Sequence, residues 1–114
     1  MMNHENSMLD DAQLLDAYQQ MADLSARMLA ATGEREWEAL AEQERQQDAL
    51  FALLQRADAG QRRPADVLRR QQALIEEILE NQGQRRELAL AWRESVGALL
   101  DSVDSARRIA KAYG

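Results

Sequence analysis

Between residues 65 and 103 one row of side chains recurs in steps of three and four: Leu68, Gln71, Ile75, Ile78, Gln82, Arg85, Ala89, Trp92, Val96, Leu99 and Val103. That period belongs to an α-helix, where residues three and four apart share a face; a strand repeats every second residue. The row constrains everything else. A continuous helix over 65–102 would be about 57 Å long at about 1.5 Å per residue. The helices that fit before it have about 24 residues each and reach only about 36 Å. The long helix must therefore overhang, bend or break. Gly83 and Gly97 are its weak points, each costing about 1 kcal/mol relative to alanine. The stretch Asp101–Asp104 offers a sharper interruption, and a short last helix is expected after it.

The first half of the chain divides in the same way. Residues 1–6 are polar and expected to fray, and Ser7-Met8-Leu9-Asp10 reads as a capping box. The stripe that follows is Leu14, Tyr18, Met21, Ser25 and Met28, with Leu15, Ala22 and Leu29 beside it. Gly33 suits the end of that helix. Glu34, Glu36 and Glu38 sit where the next helix's dipole favours negative charge. The second stripe is Trp37, Leu40, Glu44, Gln47, Phe51 and Leu54, apolar at both ends and polar in the middle. Residues 58–63 form the next break. Pro64 suits the first position of a helix, since its missing N–H would be unpaired there anyway. The expected fold is all-α: one domain over 7–114, with helices at 8–32, 34–57, 65–102 and 104–112. Short connections favour antiparallel neighbours, giving a bundle of three main helices plus a short C-terminal fourth.

Composition agrees with helices and removes most chemistry. The chain has 114 residues, enough for one core. Alanine and leucine dominate its apolar content, aromatics make up 4%, and proline occurs once. Net charge is −6, which disfavours nonspecific binding to nucleic acid or an anionic membrane. The charge is uneven: residues 1–57 carry 11 acids and 4 bases, residues 58–114 carry 9 acids and 10 bases. No apolar run approaches the roughly 20 residues that span a bilayer. The start, MMNHENSM, has no basic segment followed by an apolar stretch, so no secretory signal is expected and the protein reads as cytoplasmic.

With no cysteine there is no thiol nucleophile and no thiolate metal site. His4 is the single histidine, so a dinuclear carboxylate site with its two Glu-x-x-His pairs is excluded, as are the usual zinc sites. No phosphate-cradling glycine motif is present. Glu76, Glu77 and Glu80 read as a solvated acidic face; Arg69-Arg70 and Arg85-Arg86 read as surface cations paired with nearby Glu. Neither an enzyme nor a cofactor or metal is expected. What remains is surface for binding. On the third helix Leu79 and Leu90 lie roughly 90–110° from the main stripe, a wide apolar arc that a partner helix or the chain's own last helix could cover. That last helix has Ile109, Ala112 and Tyr113 as its main apolar groups, and a helix of its length needs a docking surface.

Several short pieces, in order, make the pattern specific. They are Leu14-Leu15-Asp16-Ala17-Tyr18 with Met28-Leu29, then Glu36-Trp37-Glu38-Ala39-Leu40, then Ile78-Leu79-Glu80-Asn81, and finally Ala112-Tyr113-Gly114. On these the chain resembles the FliT family of flagellar export chaperones over about residues 10–114. The resemblance implies a cytoplasmic helical bundle that binds the C-terminal helical segment of the filament-cap protein before export and brings it to the type III export apparatus. For some members it also implies contacts with the export ATPase and a flagellar transcription regulator, restrained by the last helix. It places the client groove on helices two and three, at Leu40, Phe51, Leu54, Ile75, Ile78 and Leu79, with Ile109 and Tyr113 in a covering segment. The alternatives are a regulatory adaptor that sequesters a transcription activator, and a structural bundle that forms a homodimer through the wide face of helix three.

Overall fold

The computed structural model describes residues 9–57 and 62–113. Its elements are three helices: α1 (Asp11–Gly33), α2 (Trp37–Ala57) and α3 (Ala65–Tyr113). No strand occurs among the described residues. The all-helical class is as expected.

Helix α1 starts at Asp11 and is capped by Asp10. The Asp10 carboxylate accepts from the Gln13 N–H at 2.7 Å, and the Gln13 side-chain oxygen accepts from the Asp10 N–H at 3.0 Å. This capping box satisfies two backbone donors reciprocally. The box expected at Ser7 lies outside the described residues, as do residues 1–6. The far end of α1 closes in a Schellman turn: the Glu36 N–H donates to Ala31 O at 2.8 Å and the Arg35 N–H to Thr32 O at 3.2 Å. Gly33 remains helical, and Arg35 takes the left-handed position, at φ 60°. The glycine thus sits two residues before the place where its freedom would be used. Helix α2 consequently begins at Trp37 and not at residue 34. At the third helix the Pro64 carbonyl accepts the first helical bond, from Leu68 N–H at 3.0 Å, so Pro64 stands immediately before the helix.

The largest correction concerns α3. It runs unbroken for 49 residues, through Gly83, Gly97 and the Asp101–Asp104 stretch. Among the described residues there is no separate fourth helix. Asp and Ser are mediocre helix formers, but each costs only a few tenths of a kcal/mol, and neither glycine is enough to stop a helix. A true break would also need a surface for the detached piece to dock on. At about 1.5 Å per residue α3 is about 74 Å long, against about 35 Å for α1. The molecule measures 79 × 27 × 21 Å with a radius of gyration of 21.5 Å. A compact chain of this length would have about 13 Å.

Helix α1 is the centre of the packed part, with α2 on one side and α3 on the other. It buries Leu14, Ala17, Met21, Ala22, Leu24, Met28 and Ala31, which divide between two clusters. One receives Leu54 from α2 and Val67, Leu74 and Ile78 from α3; the other receives Leu40 from α2. Leu14, Leu24, Met28 and Leu74 are fully buried, worth about 1.5–3 kcal/mol each relative to exposure. Polar pairs fix the register of α1 and α3. Arg63 donates to Asp11 at 3.0 Å, Arg70 to Gln19 at 2.9 Å, Gln71 to Tyr18 at 3.3 Å and Asn81 to the Ser25 hydroxyl at 3.0 Å. Numbers rise together on both helices, so α1 and α3 run parallel and α2 returns between their ends.

The inward row of α2 differs from the expected stripe. Leu40, Gln43, Gln47, Leu50 and Leu54 turn toward α1, while Glu44 and Phe51 are exposed. Two glutamines thus occupy the middle of the α1–α2 contact. Gln43 Oε1 and Gln47 Nε2 are buried there without a hydrogen-bond partner.

Candidate functional site

Because α2 and α3 each pack on α1 and not along one another, a trough is left between them. Tyr18 and Met21 of α1 make its floor. Phe51, Leu54 and Gln55 form the α2 wall, and Ile75, Ile78, Leu79 and Gln82 the α3 wall. Its volume is about 640 Å³. Leu54 and Ile78 are buried at its base, whereas Phe51 (53% exposed) and Leu79 (58% exposed) stand on opposite rims. The lining is apolar except for Tyr18 and the two glutamines.

Five of the six residues expected in a client groove line this one trough: Phe51, Leu54, Ile75, Ile78 and Leu79. Leu40 does not. It is buried against Leu24, Met28 and Ala31, and it borders a separate hollow of about 150 Å³ with Thr32, Trp37, Arg85, Arg86 and Ala89. Eleven residues of helix separate Leu40 from Phe51, about 16 Å along the axis, which is too far for one pocket. The expected covering segment is also elsewhere. On a continuous α3, Ile109 lies about 46 Å along the axis from Ile78. Ile109 is 59% exposed and Tyr113 90% exposed, and neither borders the trough.

Sequence reading does not find Tyr18 and Met21 as the floor, nor Gln55 on the α2 wall; Gln82 stands in it as a polar gap that could leave a shallow cleft. The signal for the floor was present: α1 buries residues on so much of its circumference that it has to face two neighbours at once. Such a helix also faces whatever lies between them.

One end of the packed part is held by an aromatic clasp. The Trp37 and Trp92 rings meet edge to face with centroids 5.5 Å apart, and the Arg35 guanidinium lies 5.9 Å from the Trp92 ring centre. The left-handed turn at Arg35 puts its cation there. A pair of this geometry adds about 0.5–1.5 kcal/mol beyond burial, and an exposed cation–π contact about 0.5–1 kcal/mol. The clasp joins the start of α2 to the middle of α3.

Among the described residues two titration shifts stand out, both on exposed surface near the start of α2. The Arg45 guanidinium, bonded to Glu42, holds that carboxyl below its ordinary value. A hydrogen bond and charge repulsion from Glu34 raise Glu36. Among the described residues no group of three or more His, Asp or Glu gathers to hold a metal ion, and no helix is long and apolar enough to cross a membrane.

Fold and trough together define a small all-helical protein with a solvent-open apolar groove beside a long projecting helix. The family model described as "Flagellar protein FliT" matches residues 15–114. The chain belongs to that family. No curated protein and no solved structure matches it.

Proposed function

We propose that this protein is a flagellar export chaperone whose groove between α2 and α3 takes the C-terminal helical segment of the filament-cap protein. The observation that carries the reading is the trough itself, an apolar channel open to solvent with its most exposed apolar side chains, Phe51 and Leu79, on facing rims. Two helices laid on a third leave a place for a fourth, and an amphipathic helix is what fits there. Its apolar face would cover Phe51, Ile75 and Leu79 while its polar face replaced them at the surface. Membership of a flagellar family is consistent with a flagellar client.

The logic of such binding needs neither nucleotide nor metal. A client segment that would otherwise self-associate has its apolar face shielded until export. Moderate affinity is enough, because release requires only a competing partner at the exporter. Leu54 and Ile78, at the base, shape the channel, and Phe51, Ile75 and Leu79 make the contact. Ile109 and Tyr113 take no part in covering the groove in this conformation.

The test is capture of the C-terminal helical segment of the cap protein by the full chain, with a working chaperone–client pair as control. The reading expects capture that Phe51→Asp and Leu79→Asp each weaken at least about tenfold, since truncating a central anchor costs about 2 kcal/mol or more. Both positions are exposed in the free protein, so both variants should fold. No capture with the control working would sink the reading.

A further inference from the structure

Beyond the trough, α1, α2 and α3 enclose the second hollow, lined by Thr32, Trp37, Leu40, Arg85, Arg86 and Ala89. Heptad spacing ties it to the first. Seven residues make about two turns of helix and return a side chain to nearly the same face. Arg85 and Arg86 stand seven residues beyond Ile78 and Leu79, and Ala89 stands seven beyond Gln82. On α2, which runs the other way, Leu40 and Trp37 stand fourteen before Leu54 and Phe51. Thr32 stands fourteen beyond Tyr18 of the floor. Each wall of the hollow is thus a wall of the trough continued, and the two are stations along one crevice. From Ile75 to Ala89 the crevice is about 21 Å long, the length of a helix of about 14 residues.

The stations differ in charge. No carboxylate and no cation lines the trough, whereas two guanidiniums line the hollow. The sequence suggests that both arginines pair with nearby Glu; the structure leaves them unpaired. Arg85 is half-buried and Arg86 exposed, and among the described residues neither makes an ion pair or a hydrogen bond. Glu44 and Asp48 follow the α2 rows of Phe51 and Gln55 toward the hollow, but neither is bonded to an arginine across the crevice. Arg35, over the Trp92 ring, adds a third cation near this end. A half-buried guanidinium has lost part of its hydration, and a carboxylate replaces it through two parallel N–H···O bonds.

A helix lying in the crevice therefore meets apolar side chains at one end and cations at the other. Its C-terminal end presents the negative pole of the helix dipole and, where the chain stops, the terminal carboxylate. That end suits the arginines; the N-terminal end, with the positive pole, does not.

We propose that the client helix spans both stations and lies with its C-terminal end at Arg85 and Arg86, parallel to α3 and antiparallel to α2. Trp37 and Ala89 cover its last apolar turn, and the two guanidiniums hold its carboxylate oxygens. This direction rests on the trough being a client site, and it calls for a client whose C-terminal end is anionic.

The test uses the full chain and the C-terminal helical segment of the cap protein, as a synthetic peptide with a free terminal carboxylate. Arg85→Gln/Arg86→Gln should bind it about tenfold more weakly at low salt, and the deficit should shrink as salt is raised. Both arginines are unbonded in the free protein, so this variant should keep its thermal midpoint. Arg107→Gln/Arg108→Gln removes the same charge about 33 Å further along α3 and should bind as the unaltered chain does. Direction is read by disulfide formation, because the chain has no cysteine of its own. A cysteine in the peptide's last turn should join Ala89→Cys and not Gln55→Cys; one about 14 residues earlier should do the reverse. Opposite pairing overturns the proposal, and so does an equal loss of binding in the arm variant. Undiminished binding by Arg85→Gln/Arg86→Gln while Leu79→Asp still weakens it overturns the proposal and leaves the trough a client site. A peptide that the unaltered chain does not bind sinks both.

Discussion

The two parts of α3 have similar amino-acid patterns and opposite fates. From Ala65 to Trp92 the helix lies on α1, buries Val67, Leu74 and Ile78, and ends at the tryptophan clasp. From Arg93 onward the helix continues as an exposed arm, on which Val96, Leu99 and Val103 keep the three–four spacing. Leu74 is 1% exposed and Leu99 is 64% exposed, though both stand on apolar rows of one helix. The difference comes from the neighbours. Helix α1 spans only 23 residues, and α3 outruns it. An apolar stripe therefore records where a helix seeks contact, and the lengths of the other helices decide where it finds contact within the chain.

The sharpest way to break this comparison is a pair of matched truncations. Leu74→Ala should cost about 2–5 kcal/mol in chemical denaturation, because it empties a closed site. Leu99→Ala should change stability by no more than about 0.5 kcal/mol. Equal costs would mean that the arm is packed in solution. A smaller effect probes the glutamines in the α1–α2 contact. Gln47→Leu should stabilise the protein by about 1 kcal/mol, since it removes a buried donor without a partner. A loss of stability would show that Gln47 finds a partner in water. Smaller again is Gly97→Ala. A Cβ there meets nothing within 4 Å, so the arm should gain helix by about 0.5–1 kcal/mol, seen as raised helicity with an unchanged midpoint for the three-helix part. Amide exchange then sharpens the picture across α3. Protection should be strong around Leu74 and Ile78 and weak beyond Arg93, because exchange follows local packing.

Much of this was legible in the sequence. Helical class and three main segments follow from the period, from Gly33 and from Pro64; the break expected at 58–63 lies largely outside the described residues. The groove residues come from the family resemblance; of them, only Leu79 also stands out by its angle from the main stripe of α3, while Phe51 reads on the inward stripe of α2. Three things were not legible. Leu40 looked equivalent to Phe51 because both sit on apolar ends of one stripe, but the inward row of α2 runs through Gln43, Gln47 and Leu50. A row whose middle residues are polar gives little phase information, and the stripe was drawn about one position off. The fourth helix was expected because Asp and Ser are good caps, yet capping residues are permissive, and the helix continued where nothing competed for its backbone. Ile109 and Tyr113 were assigned to a lid on the strength of that break. Once α3 is continuous they belong to a projecting arm.

The central claim is that client binding resides in the groove and not in the arm. The measurement that tests it most directly is calorimetric titration of the cap-protein C-terminal helical segment into three proteins: the unaltered chain, Leu79→Asp and Leu99→Asp. Both substitutions place a charge on an exposed leucine of the same helix, about 30 Å apart. The account predicts that the unaltered chain and Leu99→Asp bind alike and that Leu79→Asp binds at least about tenfold more weakly. Binding that survives Leu79→Asp and disappears with Leu99→Asp would contradict it.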